Sequence, residues 1–440
     1  MRITKKQIAV ITALNIVIAG LIAVIFFLRT PRLAESDLKD APDEGVVDVV
    51  APPHEKLRDP IKGKVKEISY ETRLMGSGDD SIVFSFSSGG VTYIFGNASV
   101  PGYDFDASGG FMCRIASGGK ILGFSYFDGK MTAAGVIDGG FGVATVTDAG
   151  EDSEKSTLFS VNEEGEIKEL SDLDGTAVDI MSVGSKKISV VTTIGSGTVK
   201  LVEYTRAGDG WAVGKSTRIS SALNIQYFDC YVSGDGYVIA ARAYSSPRYE
   251  TIVFYTFMAG GDAVPHYYYG NDDSMLRPYA VLPYSGGYMA VCEKSGEAAI
   301  VTVDYGFTSY RRDMLSFKFT DADLLYCNNK YYACFIDEKG GVTYELDSLL
   351  NRKTVSDLNG MRLNSVVNMD SPLFIGTTKS GVVITDCNGV YASLGIKDAN
   401  INKVIKTGYN EFLIALSASG GSALSDTTGG SDIYLISVKL

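Results

Sequence analysis

Residues 288–303 read YMAVCEKSGEAAIVTV, residues 331–346 read YYACFIDEKGGVTYEL, and residues 373–385 read LFIGTTKSGVVIT. In each stretch, an apolar strand is followed by a turn with lysine and glycine and then by a second, alternating strand. Short alternating runs that are separated by glycine turns are typical of β-hairpins. The three stretches therefore predict one antiparallel unit that the chain repeats.

The same unit recurs through most of the chain. If the first apolar residue of its second strand is the marker, successive markers lie roughly 39 to 51 residues apart, near the period of a four-stranded propeller blade. The sequence therefore predicts an all-β fold, an eight-bladed β-propeller over residues 64–440. A β-sandwich or two stacked all-β domains is the alternative, and seven blades result if residues 79–127 do not form a full blade. The markers are Val91, Phe141, Ile188, Tyr237, Tyr288, Tyr331, Leu373 and Phe412.

The last unit shows only three strands before the chain ends, at residues 401–406, 412–416 and 433–438. An unpaired strand edge promotes aggregation, and a propeller ring removes it by completing its final blade. Residues 65–73, VKEISYETR, alternate well and precede the first unit. We expect this segment to supply the missing outer strand and to close the ring.

Residues 8–28 form an uncharged apolar run that is long enough to cross a hydrocarbon core of about 30 Å. Basic residues precede the run and an acidic stretch follows it, which favours a cytoplasmic N-terminus. The run is longer than a typical signal-peptide core and has no small-x-small cleavage site after it. We predict a cytoplasmic segment at 1–7, a transmembrane signal anchor in the lipid bilayer at 8–28, and a flexible stem at 29–63. The chain is then a single-pass cell-membrane protein with an extracytoplasmic propeller. A buried hydrophobic helix is the alternative for residues 8–28.

Composition limits the chemistry. The formal net charge of −12 argues against nucleic acid as a partner. The two histidines, His54 and His266, are too few for the usual histidine-ligated zinc sites, and they argue against a hydrolase triad. The six cysteines are scattered without metal-binding spacing, so we interpret them as buried apolar side chains, with disulfides as the alternative. We expect no cofactor, with calcium as the one alternative.

The calcium alternative depends on Asp104, Asp106 and Ser108. These side chains offer oxygen atoms at positions one, three and five of a turn, and calcium prefers such oxygen ligands. Positions nine and twelve of the same pattern hold apolar residues, so the closing carboxylates of a complete calcium loop are missing. An ordinary acidic loop is the other interpretation.

Binding in propellers concentrates on the face that carries the loops between second and third strands. These loops are long at residues 97–110, 148–155, 244–250 and 417–431, and long loops are often functional. A tyrosine run beside carboxylates follows His266 and suits a glycan or peptide, although packing between blades would also explain it. The predicted ligand-binding residues are Tyr103, Asp104, Phe105, Asp106, Asp152, Tyr244, Arg248, Tyr249, His266, Tyr268, Asp272 and Asp273.

Over roughly residues 64–440, the organisation resembles the quinoprotein-like and WD40-like propellers, including membrane-tethered assembly scaffolds. No Trp-Asp dipeptide ends a strand and Trp211 is the sole tryptophan, so the resemblance is architectural and implies no functional residues. We expect a non-catalytic extracytoplasmic binding or scaffold protein with a protein, peptide or glycan ligand. The alternative is a carbohydrate-active enzyme, a glycosidase or lyase, that uses paired carboxylates. Its candidate residues are Asp104, Asp106, Asp152, Asp272 and Asp273.

Overall fold

A computed structural model describes residues 67–74, 80–98, 107–147, 155–208, 210–221, 223–234, 236–246, 249–268, 276–315, 317–337, 340–347, 351–355, 358–369, 372–386, 390–396, 399–408, 410–418 and 432–440. The chain divides into two compact units, Met1–His54 and Glu55–Leu440, and all described residues belong to the second. The anchor predicted at 8–28 and the stem predicted at 29–63 lie outside the described residues, and both stay predictions. Within the described ranges, no helix combines the length and apolar character that a membrane span requires.

The described residues form 32 strands in eight four-stranded antiparallel sheets, which we call blades 1 to 8. Blade 1 contains β2 (Ser81–Ser88), β3 (Val91–Ala98), β4 (Gly109–Ala116) and β5 (Ile121–Phe127). Blade 2 contains β6 (Lys130–Ile137), β7 (Gly140–Val146), β8 (Lys155–Val161) and β9 (Ile167–Asp174). Blade 3 contains β10 (Thr176–Ser182), β11 (Lys187–Ile194), β12 (Thr198–Ala207) and β13 (Gly210–Ser220). Blade 4 contains β14 (Asn224–Ser233), β15 (Gly236–Ser246), β16 (Tyr249–Met258) and β17 (Val264–Tyr268).

The second half of the ring has the same plan. Blade 5 contains β18 (Leu276–Tyr284), β19 (Gly287–Lys294), β20 (Glu297–Asp304) and β21 (Tyr310–Leu315). Blade 6 contains β22 (Asp321–Cys327), β23 (Lys330–Asp337), β24 (Gly340–Leu346) and β25 (Arg352–Thr354). Blade 7 contains β26 (Arg362–Asn368), β27 (Pro372–Thr378), β28 (Gly381–Thr385) and β29 (Val390–Leu394). Blade 8 contains β30 (Ala399–Lys406), β31 (Glu411–Ala418), β32 (Asp432–Lys439) and β1 (Glu67–Leu74).

The blades form a closed ring. The first-named strand of each blade contacts the first-named strands of the two neighbouring blades, and β30 of blade 8 contacts β2 of blade 1. Blade 1 is complete within residues 79–127, so eight blades are confirmed and the seven-blade count is wrong. The sandwich alternative is also wrong. We call the face with the second-to-third-strand loops and the blade-to-blade connections the top face, and the opposite face the bottom face.

Strand β1 completes blade 8 from the other end of the chain. It pairs antiparallel with β32, with Glu67 opposite Lys439 and Leu74 opposite Ile433. The segment that we expected to supply the outer strand, residues 65–73, overlaps β1 at residues 67–73. Because β32 runs from the top face to the bottom face, β1 begins at the bottom face.

Eight buried apolar clusters fill the ring, one at each junction between neighbouring blades. Strand β31 shows how one strand serves two junctions. Phe412 and Ile414 pack toward blade 7, whereas Leu413 and Ala415 pack toward blade 1. Successive side chains of a strand point to opposite faces, so a strand that is buried on both faces requires a continuous apolar run. This explains the continuous apolar runs in second strands such as β23 (KYYACFID) and β31 (EFLIALSA).

The cysteines contribute to this core. Five of the six lie within the described residues, and all five are buried free thiols. Cys292 and Cys334, for example, pack in the blade 4–5 and blade 6–7 clusters. The disulfide alternative is not seen among these five, and Cys387 lies outside the described residues.

Candidate functional site

Most of the predicted ligand-binding residues lie outside the described part of the chain, and their role stays a prediction. These residues are Tyr103, Asp104, Phe105, Asp106, Asp152, Arg248, Asp272 and Asp273. Of Tyr249, only the backbone is described, as the first residue of β16. Ser108, Tyr244, His266 and Tyr268 are described with their side chains.

Of the three residues proposed to bind calcium, Ser108 is the one that the structure describes. It is exposed just before β4 begins. Among the described residues, no three histidine, cysteine, aspartate or glutamate side chains lie close enough to hold a metal ion. The other two proposed ligands, Asp104 and Asp106, lie outside this part of the chain, so the calcium alternative stays untested.

His266 and Tyr268 lie in β17, the outer strand of blade 4, and not in a top-face loop. The His266 ring stacks on Phe307 of blade 5 with the centroids 4.5 Å apart, and Tyr268 stacks on Tyr310 at 5.6 Å. Burial lowers the pKa of His266. These contacts agree with the alternative interpretation of this aromatic run, in which its side chains pack between blades.

Tyr244 lies within β15, and the long loop predicted at 244–250 is wrong, because β15 extends to Ser246 and β16 begins at Tyr249.

Tyr244 belongs to a charged group at the top of blades 4 and 5. We call this group the Glu250 cluster: Gln226, Arg242, Tyr244, Glu250 and Arg277. The Glu250 side chain is only 7% exposed. Arg242 donates through Nη2 to Glu250 Oε1, and Arg277 Nε lies 3.6 Å from Glu250 Oε2. Arg242 also donates to Gln226 Oε1 at 3.1 Å. One carboxylate therefore holds two guanidinium groups from neighbouring blades.

Aromatic rings position both arginines. The Arg242 guanidinium lies 5.1 Å from the Tyr244 ring centroid, and Arg277 lies 5.3 Å from that of Tyr279. Such cation–π contacts restrict a guanidinium to one plane. The Arg277 side chain stays 42% exposed. Glu250 Oε2 accepts no hydrogen bond from the described residues, because 3.6 Å is too long for one. The cluster therefore presents a fixed, partly exposed cation with unused hydrogen-bonding capacity.

A second polar group lies on the inner strands of blades 3 and 4, where part of each side chain reaches solvent. The strands β10 and β14 each contain a bulge directly before an aspartate, Asp179 and Asp229. The Tyr227 hydroxyl donates to Asp179 at 2.6 Å. Burial raises the pKa of Asp179, although the Tyr227 bond acts against it.

Asp229 is the more strongly perturbed of these two carboxyls. Burial raises the pKa of Asp229 to about 6, although the Cys230 N–H donates to Oδ1 at 2.8 Å and favours the charged form. The nearby charge of Asp179 raises the pKa further. A carboxyl whose pKa is raised toward neutral pH can act as a general acid. Sequence reasoning missed both aspartates, although a lone carboxylate within an apolar inner strand was a usable signal.

The chain is therefore an eight-bladed β-propeller protein with a charged, aromatic-lined cluster on its top face. No protein-family model matches the chain. No curated protein matches it either. Its likeness to solved structures concerns the fold alone.

Three similar solved structures are propeller proteins or contain a propeller. The BamB protein from Moraxella catarrhalis is 13% identical, with 84% of this chain and 98% of that chain covered and a TM-score of 0.46. The β-propeller domain of the Trilobed protease from Pyrococcus furiosus is 7% identical, with coverages of 72% and 99% and a TM-score of 0.40. A prolyl endopeptidase is 12% identical over 78% of this chain, with a TM-score of 0.44; the match covers 54%, about half, of the endopeptidase chain.

Proposed function

We propose that this chain is a membrane-tethered extracytoplasmic binding protein whose top face binds a protein or peptide. The observation that carries the proposal is the Arg277 guanidinium, which is held against Glu250 and the Tyr279 ring and is still 42% exposed. Arginine and tyrosine are enriched at protein interfaces and in the residues that dominate binding energy. A prearranged side chain loses little conformational entropy on binding. An acidic group of the partner suits Arg277, which is the more exposed member of its pair with Glu250. A second carboxylate, Glu293, lies opposite Arg277 on β19 and accepts a hydrogen bond from Tyr279 at 3.1 Å.

The chain enters the propeller at the bottom face. Because β1 begins at the bottom face, residues that precede Glu67 join the ring at the end opposite the Glu250 cluster. The extracytoplasmic localisation depends on the anchor predicted at residues 8–28. A fusion of a phosphatase that is active only outside the cytoplasm to the C-terminus tests this localisation, and an inactive but intact fusion contradicts it.

Site-specific photo-crosslinking in intact cells tests the binding site. A photoreactive aromatic residue at Tyr244 on the top face is compared with one at Val232, which is 41% exposed near the bottom of the same blade. We expect a discrete adduct from position 244 and none from position 232. Arg277→Ala should abolish the adduct, whereas Arg311→Ala, which removes an exposed arginine of the same blade, should preserve it. Equal adducts from both positions would contradict the proposal.

A carbohydrate-active enzyme is the second candidate, and Asp229 favours it. A carboxyl with a pKa of about 6 beside a second carboxyl offers the two groups that glycoside cleavage needs. The test is a screen of glycan substrates with the full chain, followed by Asp229→Asn. Turnover that disappears in this variant would defeat the binding-only proposal, whereas no turnover on any substrate would remove the enzyme candidate.

A further inference from the structure

The bottom face carries a cleft that the proposed function does not use. It lies between blades 2 and 3, has a volume of about 320 Å³, and is lined by Asp138, Asn162, Glu166, Lys168, Arg206 and Trp211, among others. A second hollow of about 370 Å³ shares Asp138 and Arg206 with the cleft and adds Lys186. The two hollows therefore adjoin at Asp138 and Arg206.

Arg206 is fixed at the centre of this surface. Its Nη1 donates to the Asp138 carboxylate at 2.6 Å and to the Asp138 carbonyl oxygen at 3.0 Å. The guanidinium also lies 5.9 Å from the Trp211 ring centroid. Gly139 has φ +83°, and a Cβ at that position would lie 3.5 Å from Arg206 Nη1. The positive φ favours glycine in this turn of blade 2, whereas a Cβ at that position would make only an ordinary van der Waals contact with the arginine.

The opposite wall offers hydrogen-bonding groups in a rigid turn. The Asn162 amide donates to Glu166 Oε2 at 2.9 Å, and the Glu166 N–H donates to Asn162 Oδ1 at 2.8 Å. These two bonds fix a planar amide and a carboxylate at the edge of the cleft. Planar polar side chains of this kind can bind neighbouring hydroxyl groups, since each oxygen accepts more than one hydrogen bond.

The charge of the cleft differs from that of the whole chain. The cleft alone is balanced, with Lys168 and Arg206 against Asp138 and Glu166, and the adjoining hollow adds Lys186. The two hollows together therefore have one excess positive charge, whereas the chain has a net charge of −12. A locally positive site on an acidic protein favours a ligand with an anionic group. The half-buried Trp211 adds a flat apolar surface, which suits the C–H face of a sugar ring.

We propose that this cleft binds an acidic saccharide, that is, a sugar ring that carries a carboxylate. Arg206 and the lysines bind the carboxylate, Trp211 contacts the ring, and Asn162 and Glu166 bind hydroxyl groups. The site lies on the face opposite the Glu250 cluster and does not depend on the proposed function. Because the cleft is open, affinity for a disaccharide should be modest, with a Kd on the order of 1 mM.

The sole tryptophan makes the test specific. Trp211 is the only tryptophan in the chain, so tryptophan fluorescence reports on the cleft alone. The full chain in detergent is titrated with digalacturonate, with the neutral disaccharide galactobiose and with acetate, and binding is measured in parallel by calorimetry. We expect saturable heat and a saturable fluorescence change with digalacturonate, about tenfold weaker binding of galactobiose, and no response to acetate.

Matched variants separate this site from nonspecific attraction. Arg206→Ala should weaken digalacturonate binding about tenfold or more, and Trp211→Phe should remove the fluorescence signal while the heat persists at reduced affinity. Arg311→Ala, at an exposed arginine of blade 5, should bind as the parent does. Unchanged melting temperatures would show that all three variants are folded. Equal affinity for galactobiose, full binding by Arg206→Ala, or the absence of heat with digalacturonate would overturn the proposal.

Discussion

The Tyr227 hydroxyl donates a 2.6 Å hydrogen bond to the Asp179 carboxylate, and this bond joins the inner strands of blades 3 and 4. The bond lies beside Asp229, whose carboxyl is raised in pKa by burial and by the charge of Asp179. Burial also raises the pKa of Tyr227, so the phenol stays protonated and can donate. Two carboxyls and a phenol thus share one site between neighbouring blades. Their protonation should affect the stability of the ring.

The first prediction concerns pH. The pKa of Asp229 is about 6 in the folded state and about 4 in an unfolded chain, so the folded state binds more protons in this window. The stability that the protonated form provides is complete below about pH 4 and is lost as the pH rises through about 6. Asp229→Asn should flatten this slope and stabilise the domain at neutral pH by about 1–2 kcal/mol, reduced for partial exposure. Urea unfolding across this range measures both effects.

The matched control is Asp262→Asn, which changes an exposed aspartate of the same blade. We expect this variant to keep the pH slope of the parent protein. If Asp229→Asn also keeps that slope, the raised pKa of Asp229 is contradicted.

The second prediction concerns the connections between blades. Asp174-Gly175 joins blade 2 to blade 3, and the Thr192 hydroxyl donates to the Asp174 carbonyl oxygen at 2.9 Å. Gly175 has φ +91°, and a Cβ there would lie 2.4 Å from the Thr193 carbonyl oxygen. Gly175→Ala should therefore cost about 2–4 kcal/mol, from the left-handed backbone and from the displaced strand. Thermal or urea unfolding measures the loss.

Gly184→Ala is the control for backbone conformation. Gly184 has φ +69°, and a Cβ added there would meet no heavy atom within 4 Å, so alanine should cost only about 1 kcal/mol. Equal losses in the two variants would show that the close approach at Gly175 is unimportant.

The third prediction concerns the Glu250 cluster. Glu250→Gln removes the carboxylate charge that faces Arg242, whose side chain is only 15% exposed. We expect a loss of about 1–3 kcal/mol, because a largely buried guanidinium then lacks its counter-ion. Asp321→Asn removes the carboxylate charge from the exposed ion pair between Asp321 and Arg362, and it should lower the free energy of unfolding by less than about 1 kcal/mol. Urea unfolding of both variants measures the difference, and equal losses would contradict a structural role for Glu250.

The repeat made the fold predictable because the strands of most blades are consecutive in the sequence. All eight markers, from Val91 to Phe412, lie at the first or second residue of a second strand. Alternation and glycine turns encode such hairpins within about 40–50 residues, and stacking them buries their apolar faces. Ring closure was also predictable, because a blade with three strands has an unpaired edge.

The site was less predictable because it depends on contacts between blades. Arg242 and Arg277 meet at Glu250 through the curvature of the ring, which the pattern along one strand does not encode. A signal was nevertheless present. Arg242 interrupts an otherwise apolar strand, and a charged side chain in such a strand requires a partner. His266 and Tyr268 illustrate the opposite case, because the same aromatic run suits packing and binding equally well.

The last prediction concerns ring closure by β1. Leu74 is fully buried and shares a cluster with Ile433 of blade 8 and Ile94 of blade 1, so β1 connects the last blade to the first. Deletion of residues 64–74 removes the fourth strand of blade 8 and exposes the edge of β32, and it should destabilise the whole ring as one cooperative unit. Leu74→Ala, a milder change, should cost about 2–5 kcal/mol. Deletion of residues 33–60, in the predicted stem, is the control and should leave the melting temperature unchanged. If the protein without residues 64–74 melts cooperatively at the temperature of the parent, closure through β1 does not stabilise the ring.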